Sequence, residues 1–257
     1  MTAPPRFARR NYGRGHGYTL DGAKIPGVTT ILGDGLAKPA LVNWAANTVA
    51  GYALDHWAEL GEMKPSERLK ILQKAHYADR DAAGKRGTEV HRLGDKLTRG
   101  EKVDVPEELA GHVDSYVRFL DDFQVEAFLV EAPVVNYRWN YAGTMDLGAW
   151  FPTLGQRLAC DVKTARSGVF PDNALQIAGY RFCDQYMTPD GELHDMPEFD
   201  GAAVIHVRAD GYSLVPVQAG PEEHLFFLYC QQLWRWANEH SRTIVGEEIA
   251  PPVRTAP

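Results

Sequence analysis

The sequence predicts an α+β protein, a single domain with a mixed central β-sheet and a helical front. Three observations carry this. Apolar residues recur at helical spacing through residues 39–124. Three consecutive runs rich in β-branched and aromatic residues then fill 127–164. A helix, two further strands and a long amphipathic helix follow, ending near residue 242. The order, helices first and then β-β-β-α-β-β closed by a helix, segregates the helical front from the sheet.

Each element has its own signal. "YTLDGAKIPGVTTIL" (18–32) reads as an extended entry or hairpin, because Asp21-Gly22 is a turn pair and β-branched residues follow. Residues 39–60 read as a helix with Leu41, Trp44, Ala45, Thr48, Val49, Tyr52 and His56 on one stripe. Residues 64–83 read as a second helix opened by Pro65-Ser66, and 88–100 as a third opened by Thr88 and closed by Gly100. Residues 106–124 read as a fourth, with Pro106 at its first position. "AFLVEAPVVNYRW" (127–139), "NYAGTMDLGAW" (140–150) and "RLACDVKT" (157–164) read as a three-stranded meander, the last two joined by "FPTLGQ". A helix is expected at 171–187 and strands at 201–210 and 212–218. The closing helix is expected at 220–242, with Pro221 and two glutamates in its first turn. One domain over 1–245 is therefore expected: a helical front (39–124), a catalytic sheet with its motif helix (127–218), the closing helix, and a flexible tail at 246–257.

The 257 residues, 44% of them hydrophobic, suffice for one core. The basic N-terminus lacks the apolar segment of a secretory signal, and no apolar run reaches the ~18 residues that span a bilayer. The three cysteines, Cys160, Cys183 and Cys230, are far apart and form no Cys-x-x-Cys pair, so neither a disulfide framework nor an iron–sulfur cluster is expected. A cytoplasmic setting fits. The net charge of −7 is unevenly spread. Residues 64–102 hold eleven Lys/Arg against six Asp/Glu, and residues 184–257 hold four against twelve. A basic front and an acidic back suit a polyanion held on one side.

The chemistry-bearing residues stand inside the apolar strands. If the turn between the last two strands of the meander centres between Thr153 and Leu154, facing residues sum to 307, and Asp146 opposes Asp161. Two opposed carboxylates in a half-buried sheet repel, and a divalent cation is the economical compensation. Oxygen donors without a soft ligand favour Mg²⁺, with Mn²⁺ as a substitute. Strand period two puts Lys163 on the face of Asp161, aimed at whatever the metal holds, while the Val162 carbonyl between them is placed to help bind it. Gln176 and Tyr180, four apart on the next helix, share a face and would rim the site.

Gly143-x-x-Asp146, Asp161-x-Lys163 and Gln176-x-x-x-Tyr180, preceded by Arg86-Gly87-Thr88-x-x-His91, resemble the PD-(D/E)XK nuclease superfamily, most closely its RecB-like branch with its phage exonucleases. The resemblance spans about residues 86–180 by motif and reaches 218 by element order. It implies an α/β/α core of restriction-endonuclease type. It assigns Asp146, Asp161 and His91, with the Val162 carbonyl, to the metal, and makes Lys163 the catalytic lysine. Gln176 and Tyr180 become accessory catalytic residues, and Glu131 on the first strand becomes a further candidate for placing metal or water. The proline of the superfamily name is absent before Asp146, where Thr144-Met145 stand. There is no Gly-x-x-x-x-Gly-Lys-Ser/Thr loop, so no nucleotide is expected as cofactor.

The expectation is a Mg²⁺-dependent deoxyribonuclease, an end-dependent exonuclease of phage recombination or DNA processing. Lys85, Arg86 and Arg92 would hold the DNA backbone without reading bases. A structure- or sequence-specific endonuclease on the same fold and a non-catalytic DNA-end-binding protein are the alternatives. A single-strand annealing protein is the partner the resemblance suggests, and a homo-oligomer is compatible with it.

Overall fold

A computed structural model describes residues 6–12, 15–165 and 167–249. The chain opens with a small antiparallel sheet of β1 (Phe7–Tyr12), β2 (Gly15–Leu20) and β3 (Ala23–Ile25). The turn between β2 and β3 is the expected Asp21-Gly22 pair, both at positive φ (48° and 80°), a conformation that suits glycine and is tolerated by aspartate. The stretch after it does not continue as a strand: Val28–Gly35 is a helix, α1, because Val28, Ile31 and Leu32 at helical spacing all bury.

The helical front is α2 (Pro39–Asp55), α3 (Trp57–Glu62), α4 (Pro65–Thr98) and, after a short 3-10 turn at Glu107–Leu109, α5 (Ala110–Asp122). Two of the expected helices, 64–83 and 88–100, are one 34-residue helix, α4. Gly84 and Gly87 read as a break in sequence, but neither interrupts the helix. The second half of α4 is held by Val90 and Leu93 packing on Leu109 and Val113, which offsets the ~1 kcal/mol helix penalty of each glycine.

The main sheet has seven strands in the order β10-β9-β6-β5-β4-β7-β8. β4 (Glu126–Asn136), β5 (Tyr141–Phe151) and β6 (Gln156–Lys163) form the expected antiparallel meander. β6 runs parallel to β9 (Gly201–Arg208), which pairs with β10 (Gly211–Pro216), so the sheet is mixed. The helix expected at 171–187 ends early: α6 spans Asp172–Arg181, and the remainder forms the short strand β7 (Gln185–Met187), which pairs with β8 (Leu193–Asp195). The closing helix α7 spans Pro221–Arg235 and passes through a π turn at Trp236–His240. Of the expected flexible tail, residues 250–257 lie outside the described residues.

Helices cover both faces of the sheet. On one face Val28, Ile31, Ile177 and Phe227 of α1, α6 and α7 pack with Val134, Tyr141 and Met145. On the other, Tyr116 and Phe119 of α5 pack with Leu147, Phe151, Val162 and Ile205. Phe119 is fully buried against Phe123, Phe151 and Tyr212, and its truncation to alanine would cost about 3–5 kcal/mol. The protein is therefore α+β with a large mixed sheet, as the sequence predicts. No helix among the described residues is long and apolar enough to cross a membrane.

Candidate metal centre and the cleft around it

The β5–β6 ladder follows the expected register. Leu147 faces Cys160, Ala149 faces Leu158 and Phe151 faces Gln156, each pair summing to 307. The ladder stops one step short of Asp146 and Asp161. Beyond it the Asp146 carboxylate takes a main-chain donor, accepting the Val162 N–H at 2.8 Å. Val162 thus enters the site through its N–H.

Both strands that flank this point change face there. On β5, Met145 packs on the α6 face and Leu147 on the α5 face, although strict alternation would put both on one side. On β4, Val130 packs toward the α5 face and both Ala132 and Val134 toward the α6 face. Val130 pairs with Leu147 and Ala132 with Met145, so the two residues at the inversion face each other. They are Glu131 and Asp146. Glu131 sits at φ 49°, a strained backbone for a non-glycine residue and one that concentrates at functional positions. The glutamate ranked lowest from sequence is therefore placed beside Asp146 by two coincident strand irregularities.

His91 reaches the same point from α4. Residues 87, 91, 95 and 99 form one stripe of that helix. Gly87 lies against the end of β6, where an added Cβ would stand 3.2 Å from the Thr164 hydroxyl. Arg99 donates to the Val130 carbonyl at 3.0 Å. The helix is thereby held close to the strand ends, and the His91 Nδ1 lies 3.6 Å from Asp146 Oδ2 and 3.9 Å from Glu131 Oε1. One donor atom from each of His91, Glu131 and Asp146 lies within 4.8 Å of the others, the spacing of ligands around one ion.

Asp161 lines the same cavity but stands outside that group of three. Its Oδ1 accepts from the Gln176 amide at 2.7 Å, and its buried Oδ2 lies 2.6 Å from Lys163 Nζ at an angle outside hydrogen-bond geometry. Lys163 also donates to Gln176 Oε1 at 3.2 Å, and the Gln176 amide donates to the Tyr180 hydroxyl at 3.1 Å. Gln176 therefore couples Lys163, Asp161 and Tyr180. Gly143 explains its place one turn of strand before Asp146. A Cβ there would stand 2.4 Å from the Tyr180 ring, so only glycine lets the tyrosine lie flat on β5.

Burial and the charges of these groups on one another shift their titration. Burial raises the Asp146 carboxyl to about 7, the Asp161 charge adds to the rise, and His91 opposes it. Burial alone would lower His91, but Asp146, Glu131 and Asp161 together raise it to about 9. A protonated His91 is thus a counter-charge to the carboxylates. Burial also works against the Lys163 charge, yet Asp161 and Asp146 hold it above its ordinary value. The donor set of one imidazole and two hard carboxylates fits a divalent ion that takes nitrogen and oxygen ligands.

Two residues that sequence reasoning missed complete the cavity of about 210 Å³: His16 and Tyr18 of β2. The Tyr18 hydroxyl bonds the Thr144 hydroxyl at 2.8 Å, pinning the small N-terminal sheet to β5. The alternation His16, Tyr18, Leu20 was their only sequence signal. Of the residues expected to hold a nucleic-acid backbone, Lys85 is exposed and Arg86 half-buried on α4, on the turns before Gly87 and His91. Arg92 is already engaged, donating from Nε to Glu89 at 2.9 Å.

Comparison with descriptions of known protein families and with curated proteins yields no match to this chain.

Proposed function

We propose that this protein is a metal-dependent nuclease that hydrolyses phosphodiester bonds, with an end-dependent deoxyribonuclease as the preferred form. The observation that carries the reading is the convergence of His91, Glu131 and Asp146 on one point, beside a lysine paired with a second buried aspartate. The order of these groups along the chain resembles that of RecB-like nucleases of the PD-(D/E)XK superfamily. A divalent ion held by His91, Glu131 and Asp146 would supply Lewis-acid activation of a phosphate and of water.

The chain's own residues have separable parts. Lys163 is held protonated, so it acts as a charge and hydrogen-bond donor toward phosphate oxygens. Asp161 aims the ammonium, and Gln176 holds the two together. Tyr180, buried and kept as a neutral phenol, fixes Gln176 from behind. Lys85 and Arg86 of α4 would bind the backbone leading to the site.

The test is cleavage of linear, nicked-circular and closed-circular DNA by purified protein, with Mg²⁺ and with EDTA. Progressive loss of linear duplex in Mg²⁺ alone is expected, with closed circles spared. Rapid linearisation of closed circles would replace the exonuclease with an endonuclease on the same site. No cleavage of any DNA or RNA with Mg²⁺ or Mn²⁺ would overturn the nuclease reading.

A further inference from the structure

Glu131 also lines a second cleft, of about 450 Å³. Arg9 and Asn11 of β1 form one wall, Arg99 at the end of α4 another, and Phe128 and Leu129 of β4 the floor. Glu131 lines both spaces, so the cleft adjoins the site at that residue.

The small N-terminal sheet builds this wall. Residues 7, 9 and 11 on β1 face the side that 16, 18 and 20 face on β2, given the pairs Phe7 with Leu20, Arg9 with Tyr18 and Asn11 with His16. Phe7, Tyr18 and Leu20 bury against Val135 and Ala142. Towards the open end of the sheet the same row continues with Arg9, half-buried, and with Asn11 and His16, both exposed. Arg9 is only half-buried, yet among the described residues its Nε is buried without a hydrogen-bond partner, and its contact to His16 is a long 3.4 Å. Arg99 is held rigid by Asp95 at 3.1 Å and by the Val130 carbonyl. Phe128 stays 40% exposed, with its ring 5.8 Å from Phe199. Two guanidiniums and one open aromatic face form the pairing that binds a sugar-phosphate backbone and stacks a base.

We propose that this cleft binds the single-stranded nucleotides that continue from the scissile phosphate, with Arg9 and Arg99 on the backbone and Phe128 under a base. The inference rests on the nuclease reading and names the path of its substrate. Stacking tolerates every base, so the cleft would guide a strand without reading its sequence.

The test uses a short fluorescent oligothymidine and anisotropy, with Ca²⁺ in place of Mg²⁺ to hold the strand uncut. Arg9→Ala and Phe128→Ala should each weaken binding about 10-fold. Arg9→Ala should also flatten the log–log salt slope by about 0.7. Phe128→Leu keeps apolar bulk for folding but loses the stacking plane, and should weaken binding as the alanine does. Mn²⁺ affinity, read by calorimetry, should stay unchanged in all three. Wild-type affinity in Arg9→Ala and Phe128→Leu would overturn the proposal while leaving the nuclease reading intact. So would loss of Mn²⁺ binding in Arg9→Ala, since the residue would then be part of the metal site. A parent protein that binds no oligonucleotide and cleaves none would overturn both.

Discussion

Gly143→Ala tests the geometry of the site most directly. The new methyl carbon would stand 2.4 and 2.6 Å from two carbons of the Tyr180 ring and 3.3 Å from Val28 Cγ2. Carbon atoms in contact prefer about 3.5–4.0 Å, so the overlap is roughly 1 Å. Tyr180 is buried and cannot retreat freely. Overpacking of this kind costs about 1–3 kcal/mol. Tyr180→Ala alone should cost about 3–5 kcal/mol, the usual loss for a buried aromatic. In the double variant the ring is gone and the methyl has room, so the two costs should fall short of their sum by about 1–3 kcal/mol. Denaturant unfolding of the four proteins measures this coupling. Displacement of Tyr180 also pulls on Gln176, so Gly143→Ala should lose cleavage while keeping Mn²⁺ affinity, because the hydrogen bonds from Tyr180 run through Gln176 to Asp161 and Lys163. Additive stabilities, within about 0.5 kcal/mol, would refute the steric account of the glycine.

Glu131→Gln and Asp146→Asn should each weaken Mn²⁺ binding 10-fold or more by calorimetry, and unaltered binding in both would remove the proposed centre. Lys163→Met should leave Mn²⁺ bound, reduce cleavage about 10²-fold or more, and cost about 3 kcal/mol of stability by stranding buried Asp161. In EDTA, stability should fall as pH rises. Asp146 and His91 both bind protons more tightly folded than unfolded, so the contribution of Asp146 is lost through about pH 7 and that of His91 through about pH 9. Melting scans at pH 6 and 9.5 should show the drop, Mn²⁺ should abolish it, and a rise instead would refute the sign. Charge reversal at Lys85 and Arg86 should flatten the salt dependence of DNA binding, whereas reversal at Arg92 should do so less because Glu89 already holds it.

Local rules fixed much of this protein. Period two and one short turn were enough to set the β5–β6 register at a sum of 307 from Leu147–Cys160 to Phe151–Gln156, but the ladder ends before Asp146 and Asp161, where β5 changes face. The four-residue step from Gln176 to Tyr180 likewise follows from helix geometry alone. Tertiary packing decided the rest. Gly84 and Gly87 read as a break, yet α4 continues through them because α5 grips its far half and because Gly87 is needed small against Thr164. Val28, Ile31 and Leu32 are β-branched or apolar in either reading, and only the core between α6 and α7 makes them helical. Glu131 offered no pattern at all. The resemblance named it as a further candidate, and the structure sets it beside Asp146 because β4 and β5 change face at one level; a positive φ of that kind leaves no trace in a periodicity. Ion pairing is equally invisible in sequence: Asp161 could face a metal or a lysine, and the structure places Lys163 Nζ 2.6 Å from it. A sequence specifies the donors through short-range spacing, but it takes the packed sheet, with strands that splay and helices that lean on their ends, to select which donors meet.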